Sequence, residues 1–322
     1  MKERIGYLQN LVISSGAPWV AEAFSTVPTS SRHGADAAGA DRLTFGNAPS
    51  SRFLHFNEVS IMQFSEILKS MRLSEGIWRT TTTEDWLQGR SLFGGLQAAI
   101  AQKAMRGLVP KEIPLRSLQV TFLSPVPAGE VRVRAQVLRA GRNTTHVEAR
   151  LLDGDQVVCL VVGIFGAARQ SAVRIVPQQP AVDSTKPLSF TFMPGLTPSF
   201  TQHFALRWLR GGMPFSGSRL PENVIEIDMR DAGKASEGHV IAFADVIPPV
   251  ALSMLETPAP GSSMTWMLEM MNDRVHELPL RGWRMDAEVT AAADGYTSQT
   301  GSLWGPGGAL VALSRQSMVV FA

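Results

Sequence analysis

The stretch GRSLFGGLQAAIAQKAMRGL (Gly89 to Leu108), together with the alternating segments downstream of it, decides the fold class. Leu92, Leu96, Ile100, Ala104 and Leu108 recur at i, i+4 spacing, which on a long helix makes one apolar stripe with Lys103 and Arg106 off it. Two glycines, Gly94 and Gly95, mark the helix entry, and Pro110 ends it. The period then changes to two. Leu118, Val120 and Phe122 alternate with Ser117, Gln119 and Thr121; Val131, Val133, Ala135 and Val137 alternate with Arg132, Arg134 and Gln136; Val147, Ala149 and Leu151 alternate with His146, Glu148 and Arg150. This is the pattern of half-buried antiparallel strands. Pro127-Ala128-Gly129, Gly141-Arg142-Asn143 and Asp153-Gly154-Asp155 supply the turns between them. The run VVCLVVGIFGAA (Val157 to Ala168) is too short to span a membrane and reads as a strand buried on both faces. One long helix against a curved antiparallel sheet, an α+β arrangement, is what these pieces allow.

Upstream, MQFSEILKSM (Met62 to Met71) suggests a short amphipathic helix. Residues 1–61 differ from the rest. The segment Ser30 to Arg52 is rich in Gly, Ala, Ser and Pro, without helical or alternating period, and buries too little to offset its ordering entropy. The expectation is a disordered N-terminal extension, either a flexible tail or an upstream extension of the reading frame with the start at Met62. Downstream, Arg169 to Phe200 is a Pro-rich connection, with Pro177, Pro180, Pro187, Pro194 and Pro198, expected to lie extended on the surface.

The second half repeats the order of the first. Strands are expected at Phe204–Leu209 and Val224–Met229, an apolar helical stretch at Val240–Leu255, and strands at Ser263–Met271, Trp283–Ala291, Tyr296–Trp304 and Ala309–Phe321. Overlaying the halves sets Ser117 on Ser263 and Val162 on Gln316. The repeat rests on element order, because identities are few. The expected division is 62–170, a linker at 171–200, and 201–322.

Composition bounds the function. Thirty Lys+Arg against 28 Asp+Glu leave a net charge of +2, and no basic stripe points to nucleic acid. Charged residues are 18% and hydrophobic ones 44%, so there is ample core material. The single cysteine, Cys159, cannot form an internal disulfide, which fits a reducing cytoplasm and disfavours a Cys-built metal site. A secretory signal pattern is missing from the first residues. Six histidines show no HExxH spacing, and there is no GxSxG elbow or Walker loop. No metal or cofactor is expected. Met264, Met267, Met270 and Met271 read as core or as lining for an apolar chain.

Three runs carry a resemblance: SLFGGLQAAIAQKAM (Ser91 to Met105), RSLQVTFLSPVPAG (Arg116 to Gly129) and VLRAGRNTTHVEARLLDGDQVV (Val137 to Val158). They resemble the first half of acyl-CoA thioesterase II-like proteins, with a Phe-Gly-Gly helix entry and a Leu-Arg-x-Gly-Arg turn. AFADVIPPVAL (Ala242 to Leu252), SSMTWMLEM (Ser262 to Met270) and GALVALSRQSMVVF (Gly308 to Phe321) match the second half more loosely. The resemblance covers about Glu75 to Phe321. It implies a double hotdog, two antiparallel sheets each wrapped on a helix and fused as a pseudo-dimer, with further association through the sheets an open expectation. It also implies acyl-CoA hydrolysis, and so a role in lipid metabolism, by an Asp, a Ser or Thr, and a Gln that hold a water. One position at a time, these fall on Asp245, Ser263 and Gln316. An alignment shifted by two replaces Ser263 by Thr265, expected on the same strand face. The sequence departs from the family after the glycine pair, where Leu96 stands in place of Gln and Gln97 comes one place later.

The same residues have their own chemistry. Asp245 lies in an apolar run and needs hydrogen-bond partners if buried; it serves either as a general base or as a helix cap beside Pro248-Pro249. Gln316 shares a strand face with Leu310, Ala312, Ser314, Met318 and Val320, and either meets a polar partner there or faces solvent. Gly94 and Gly95 either leave amide donors for a thioester oxygen or pyrophosphate, or allow tight packing. Two alternatives to hydrolysis stay open. One is a non-catalytic double hotdog that binds acyl-CoA or a lipid. The other is a hotdog enoyl-CoA hydratase, for which His239 is the nearest histidine.

Overall fold

Alternation builds most of the chain. The computed structural model describes residues 61–183 and 186–321, so the expected extension lies, apart from Ile61, outside the described residues. A short helix, α1 (Phe64–Ser70), is followed by strands β1 (Arg72–Ser74) and β2 (Ile77–Thr82), a small ladder of β3 (Leu87–Gln88) with β4 (Ser91–Leu92), and helix α2 (Gly94–Arg106). Then come β5 (Leu115–Phe122), β6 (Gly129–Ala140), β7 (Thr144–Asp153) and β8 (Gln156–Gly166). After the connection, which carries a two-residue strand β9 (Leu188–Ser189), lie β10 (Phe204–Arg210) and β11 (Glu222–Met229). Helices α3 (Glu237–Asp245) and α4 (Val250–Met254) precede β12 (Gly261–Met270), β13 (Trp283–Ala293), β14 (Tyr296–Trp304) and β15 (Leu310–Val320).

Thirteen strands form one antiparallel sheet in the order β1-β2-β6-β7-β8-β5-β12-β15-β14-β13-β11-β10-β9. Read outward from the middle, both halves share a connectivity: the first strand after the helix, then the last, the one before it, and so on to the strands that precede the helix, β2 and β1 in the first half and β11, β10 and β9 in the second. The halves join at β5 and β12, with Val120 opposite Trp266 and Leu118 opposite Leu268. All four residues of that seam are buried, so the two inner faces form one continuous apolar layer.

The helices lie against that layer. The sequence predicts one apolar stripe on α2, but Leu96, Ala98, Ala99, Ile100, Ala101, Ala104 and Met105 are all fully buried, so α2 is covered nearly all round. The sheet takes one side and α3 the other, which a single-face pattern does not anticipate. Leu108 lies past the helix and is 40% exposed. The two helices run antiparallel, since Gly94 at the start of α2 meets Asp245 at the end of α3, and Arg106 at the end of α2 meets Glu237 at the start of α3. Their close approach needs Gly95: a Cβ there would stand 3.0 Å from Ala242 Cα and 2.5 Å from the Phe93 ring.

Other expectations change in detail. The helical stretch expected over Val240–Leu255 breaks at Val246–Pro249, because Pro248 removes a donor and forces Ile247 out of helical geometry. The strand through Cys159 is buried only on its inner face, with Leu160, Val162 and Ile164 half-covered on the other. Strands β1 and β2 have no counterpart in the sequence reading. The Pro-rich connection is mostly exposed, as its composition suggests, and is tied down where Arg284 Nη1 donates to the Pro180 carbonyl at 2.9 Å. Among the described residues no helix is long and apolar enough to cross a membrane.

Two buried His–Asp contacts lie where the first elements meet the second half. His203 Nε2 stands 2.9 Å from Asp85 Oδ2, and its ring stacks on Trp86 with centres 3.9 Å apart. His239 Nε2 stands 3.2 Å from Asp231 Oδ2, while Ser65 Oγ donates to the other oxygen at 2.9 Å. Burial alone would raise the Asp85 carboxyl. Hydrogen bonds from His203 and Thr83 outweigh it and hold the group below the ordinary carboxylate range. Such a carboxyl takes up its proton later than in the unfolded chain. Its contribution is present above the unfolded value of about 4 and is lost as pH falls through the folded one. Replacing Asp85 by Asn should therefore lower stability by about 1–3 kcal/mol at pH 7, read by urea unfolding, and the deficit should shrink toward acid pH.

Candidate active site

Asp245 is the last residue of α3, ahead of the proline break. A carboxylate is unfavourable at the C-terminus of its own helix. The antiparallel crossing removes that conflict by setting Asp245 at the N-terminus of α2, where amides point outward. The Gly95 N–H donates to the carboxylate, and Gln316 Nε2 donates to Oδ1 at 2.5 Å. The other oxygen, Oδ2, lies where a side chain on Gly94 would begin: a Cβ there would be 2.7 Å from it and 3.1 Å from Phe122 Cζ. Only glycine fits.

Asp245 is half-buried at its surface, yet its carboxyl is crowded by protein. Burial pushes its pKa up to about 7, against the hydrogen bonds of Gln316 and Gly95, which pull it down. A carboxyl near neutrality can take a proton from water and return it.

Gln316 is buried on the inner face of β15, opposite Trp266 on one side and Gln299 on the other. Gln299 Oε1 accepts the Val250 N–H at 2.8 Å, pinning the start of α4 and hence the segment that follows Asp245. The two candidate hydroxyls separate. A bulge in β12 between Ser263 and Thr265 puts Ser263 opposite Met318, on the inward face with Gln316. Thr265 is opposite Ser317 and Thr121, on the exposed outer face. The expectation that both share a face is thus corrected: the extra residue, Met264, turns the alternation over. Among the described residues the Ser263 hydroxyl makes no hydrogen bond to Asp245 or Gln316.

Gly95, expected to offer its amide to a ligand, spends it on Asp245. Gln97 is committed to the chain before the helix, donating to the Leu92 carbonyl at 2.6 Å and holding the helix entry. Val162, expected to correspond to Gln316, pairs with exposed Gln119 and faces outward; Val161 and Gly163 face inward there, so no polar side chain takes that place. At the other end of the helix pair the place is filled by ions. Glu237 receives Arg106 Nη2 at 2.6 Å, Gln102 Nε2 at 2.5 Å and the Leu115 N–H at 2.7 Å. His239 lies at that end too, bonded to Ser236 and Asp231. An open cavity of about 330 Å³ also lies there, beside Asp231, Arg230 and Arg281, away from Asp245. Its aspartates already accept protein hydrogen bonds, so the chemistry points to Asp245 rather than to that cavity. Phe122 and Gln299 escaped the sequence reading. Phe122 looks like any apolar residue of an alternating strand, and Gln299 sits among Ser, Thr and Gly.

The model of the acyl-CoA thioesterase N-terminal domain matches residues 82–166, and that of the acyl-CoA thioesterase C-terminal domain matches residues 177–320. The interval between them falls in the exposed connection. Among solved structures, a hot dog fold protein from Alicyclobacillus acidocaldarius is similar over 80% of this chain and 98% of its own, at 20% identity and a TM-score of 0.73. The acyl-CoA thioesterase II TesB2 of Mycobacterium marinum is similar over 80% and 97%, at 17% identity and a TM-score of 0.61. A tesB protein of Mycobacterium avium subspecies paratuberculosis is similar over 80% and 98%, at 14% identity and a TM-score of 0.64. At these identities the likeness establishes the hotdog fold. None of the curated proteins matches the sequence.

The carboxyl of Asp245 is expected to titrate near pH 7 instead of near 4, read by carbon-13 NMR of labelled aspartate, with Asp245→Asn lacking that signal. The unfolded chain ionises first as pH rises, so the group's contribution is lost between about 4 and 7. Asp245→Asn should then unfold at a higher temperature than the parent at pH 8, by about 2 °C or more, and lose that advantage at pH 4.

Proposed function

The chain belongs to the acyl-CoA thioesterase family, and on that premise we propose that it hydrolyses acyl-CoA thioesters with a water held by Asp245, Gln316 and Ser263. What carries this reading is the meeting of Gln316 Nε2 with Asp245 Oδ1 at the N-terminus of α2. That contact fixes one carboxylate oxygen and leaves the other directed at the helix entry. We read residues 62–170 and 201–322 as two hotdog units joined by 171–200 and fused into a pseudo-dimer, supported by their shared connectivity and by the two domain matches. The polar trio comes from the second unit and the glycine entry from the first, so one site is formed at the seam. The pseudo-symmetric end, closed by Arg106 and Glu237, is structural.

In the reaction Asp245 removes a proton from the held water as its oxygen bonds to the thioester carbonyl carbon. The developing oxyanion lies at the N-terminus of α2, where the Gly94 amide is the donor at the first position, with the Ser263 hydroxyl on the facing strand. Collapse breaks the carbon–sulfur bond, and the proton on Asp245 neutralises the departing CoA thiolate. The ionised form of Asp245 is required, so activity should rise with pH through about 7. A hydratase would need an imidazole beside Asp245, and His239 is engaged at the opposite end of α3.

The test is release of free CoA from a panel of acyl-CoA chain lengths, trapped with a thiol reagent. Asp245→Asn is expected to lower kcat by about 10²-fold or more while the fold is kept. Ser263→Ala should lower it by about tenfold, at the level of one lost donor, and Thr265→Val should leave it unchanged. Tight acyl-CoA binding without CoA release by the parent protein would replace the hydrolase reading with that of a binding protein.

A further inference from the structure

Phe122 closes β5 and has no place in the trio. Its pairing with Cys159 turns its ring to the inner face, in line with buried Val120 and Leu118. The seam register, Thr121 opposite Thr265 and Val120 opposite Trp266, sets Phe122 beside the β12 bulge that carries Ser263. Over it passes the entry of α2. A Cβ on Gly94 would lie 3.1 Å from Phe122 Cζ, 3.3 Å from its Cε1 and 2.7 Å from Asp245 Oδ2. The ring, the carboxylate oxygen and the helix backbone therefore crowd a single point.

We propose that Phe122, brought from the other half of the chain, is a positioning residue of this site: its ring walls Asp245 Oδ2 off from bulk water and fixes the side from which a thioester reaches it. The proposal rests on Asp245 as the base and names what conditions it. Gln316 and Gly95 both favour the ionised carboxyl, yet burial outweighs them, and an apolar group crowding the carboxyl adds to that burial. At Oδ2 that group is Phe122. Among the described residues no charged side chain joins burial, Gln316 and Gly95 in setting the proton affinity of Asp245. On α2 the first charge is Lys103, and α3 carries Glu237 and His239 in its first turn, far from Asp245. Between Val246 and Met254 there is no charge; Arg315 on β15 and Glu269 on β12 are exposed, and Arg116 lies at the far end of β5.

The experiment follows the Asp245 carboxyl by carbon-13 NMR in the parent, Phe122→Ala and Phe122→Leu, beside the pH profile of kcat/KM for CoA release, with folding checked by thermal unfolding. In Phe122→Ala the titration midpoint should fall by at least about one unit, a tenfold gain in the ionised fraction well below pH 7, while Phe122→Leu stays near the parent. The acid limb of kcat/KM should move with it. If Phe122→Ala does not fold, Phe122→Val should show the same direction of shift. An unchanged midpoint in the folded variant overturns the proposal, even where the parent's acid limb still tracks Asp245. A midpoint that moves while the rate limb stays supports the shielding by Phe122 and instead removes Asp245 as the base.

Discussion

The antiparallel contact between α2 and α3 is the constraint on which the rest depends. Two buried helices so arranged place the last residue of one against the first amides of the other. Gly95 makes the approach possible, because any side chain there would meet the Ala242 backbone. The approach turns an unfavourable position, a carboxylate at its own helix end, into one supplied with donors. The sheet then adds Gln316 from below, and the proline break after Asp245 keeps α3 from running on past the meeting point.

The same contact sets unlike surroundings on the carboxylates at the two ends of the pair. At the Asp245 end a single carboxylate is matched by neutral donors, so its charge is only partly compensated and its affinity for a proton is high. At the opposite end Glu237 meets a guanidinium, an amide and a backbone N–H, so its charge is paired within the protein. An ancestral duplication is not needed to see the consequence. Equal connectivity with unequal side chains gives the two ends of the helix pair different electrostatics.

Much of the fold was legible in period alone. The switch from i, i+4 spacing in α2 to alternation in β5 through β8, and again from β12 to β15, comes directly from which faces are buried. Strands β1 and β2 were missed because IWRTTT has only a weak apolar alternation, its inward residues being Trp78, Thr80 and Thr82. Asp245 and Gln316 were visible as polar residues in apolar runs, and the structure brings them together. The choice between Ser263 and Thr265 was not visible, since a bulge inserts a residue without leaving a pattern in one sequence. Nor was Phe122, whose importance lies in a crossing between two distant parts of the chain.

A carboxylate so placed can act in two ways, by activating water or by attacking the thioester itself, and the position of Oδ2 against the helix entry argues for the first. Single-turnover hydrolysis of an acyl-CoA in heavy-oxygen water, with enzyme in excess, separates them. If Asp245 holds the water, the fatty acid released in the first turnover carries the heavy oxygen and the peptide containing Asp245 carries none. Release of an unlabelled acid, with heavy oxygen incorporated at Asp245, would contradict the account.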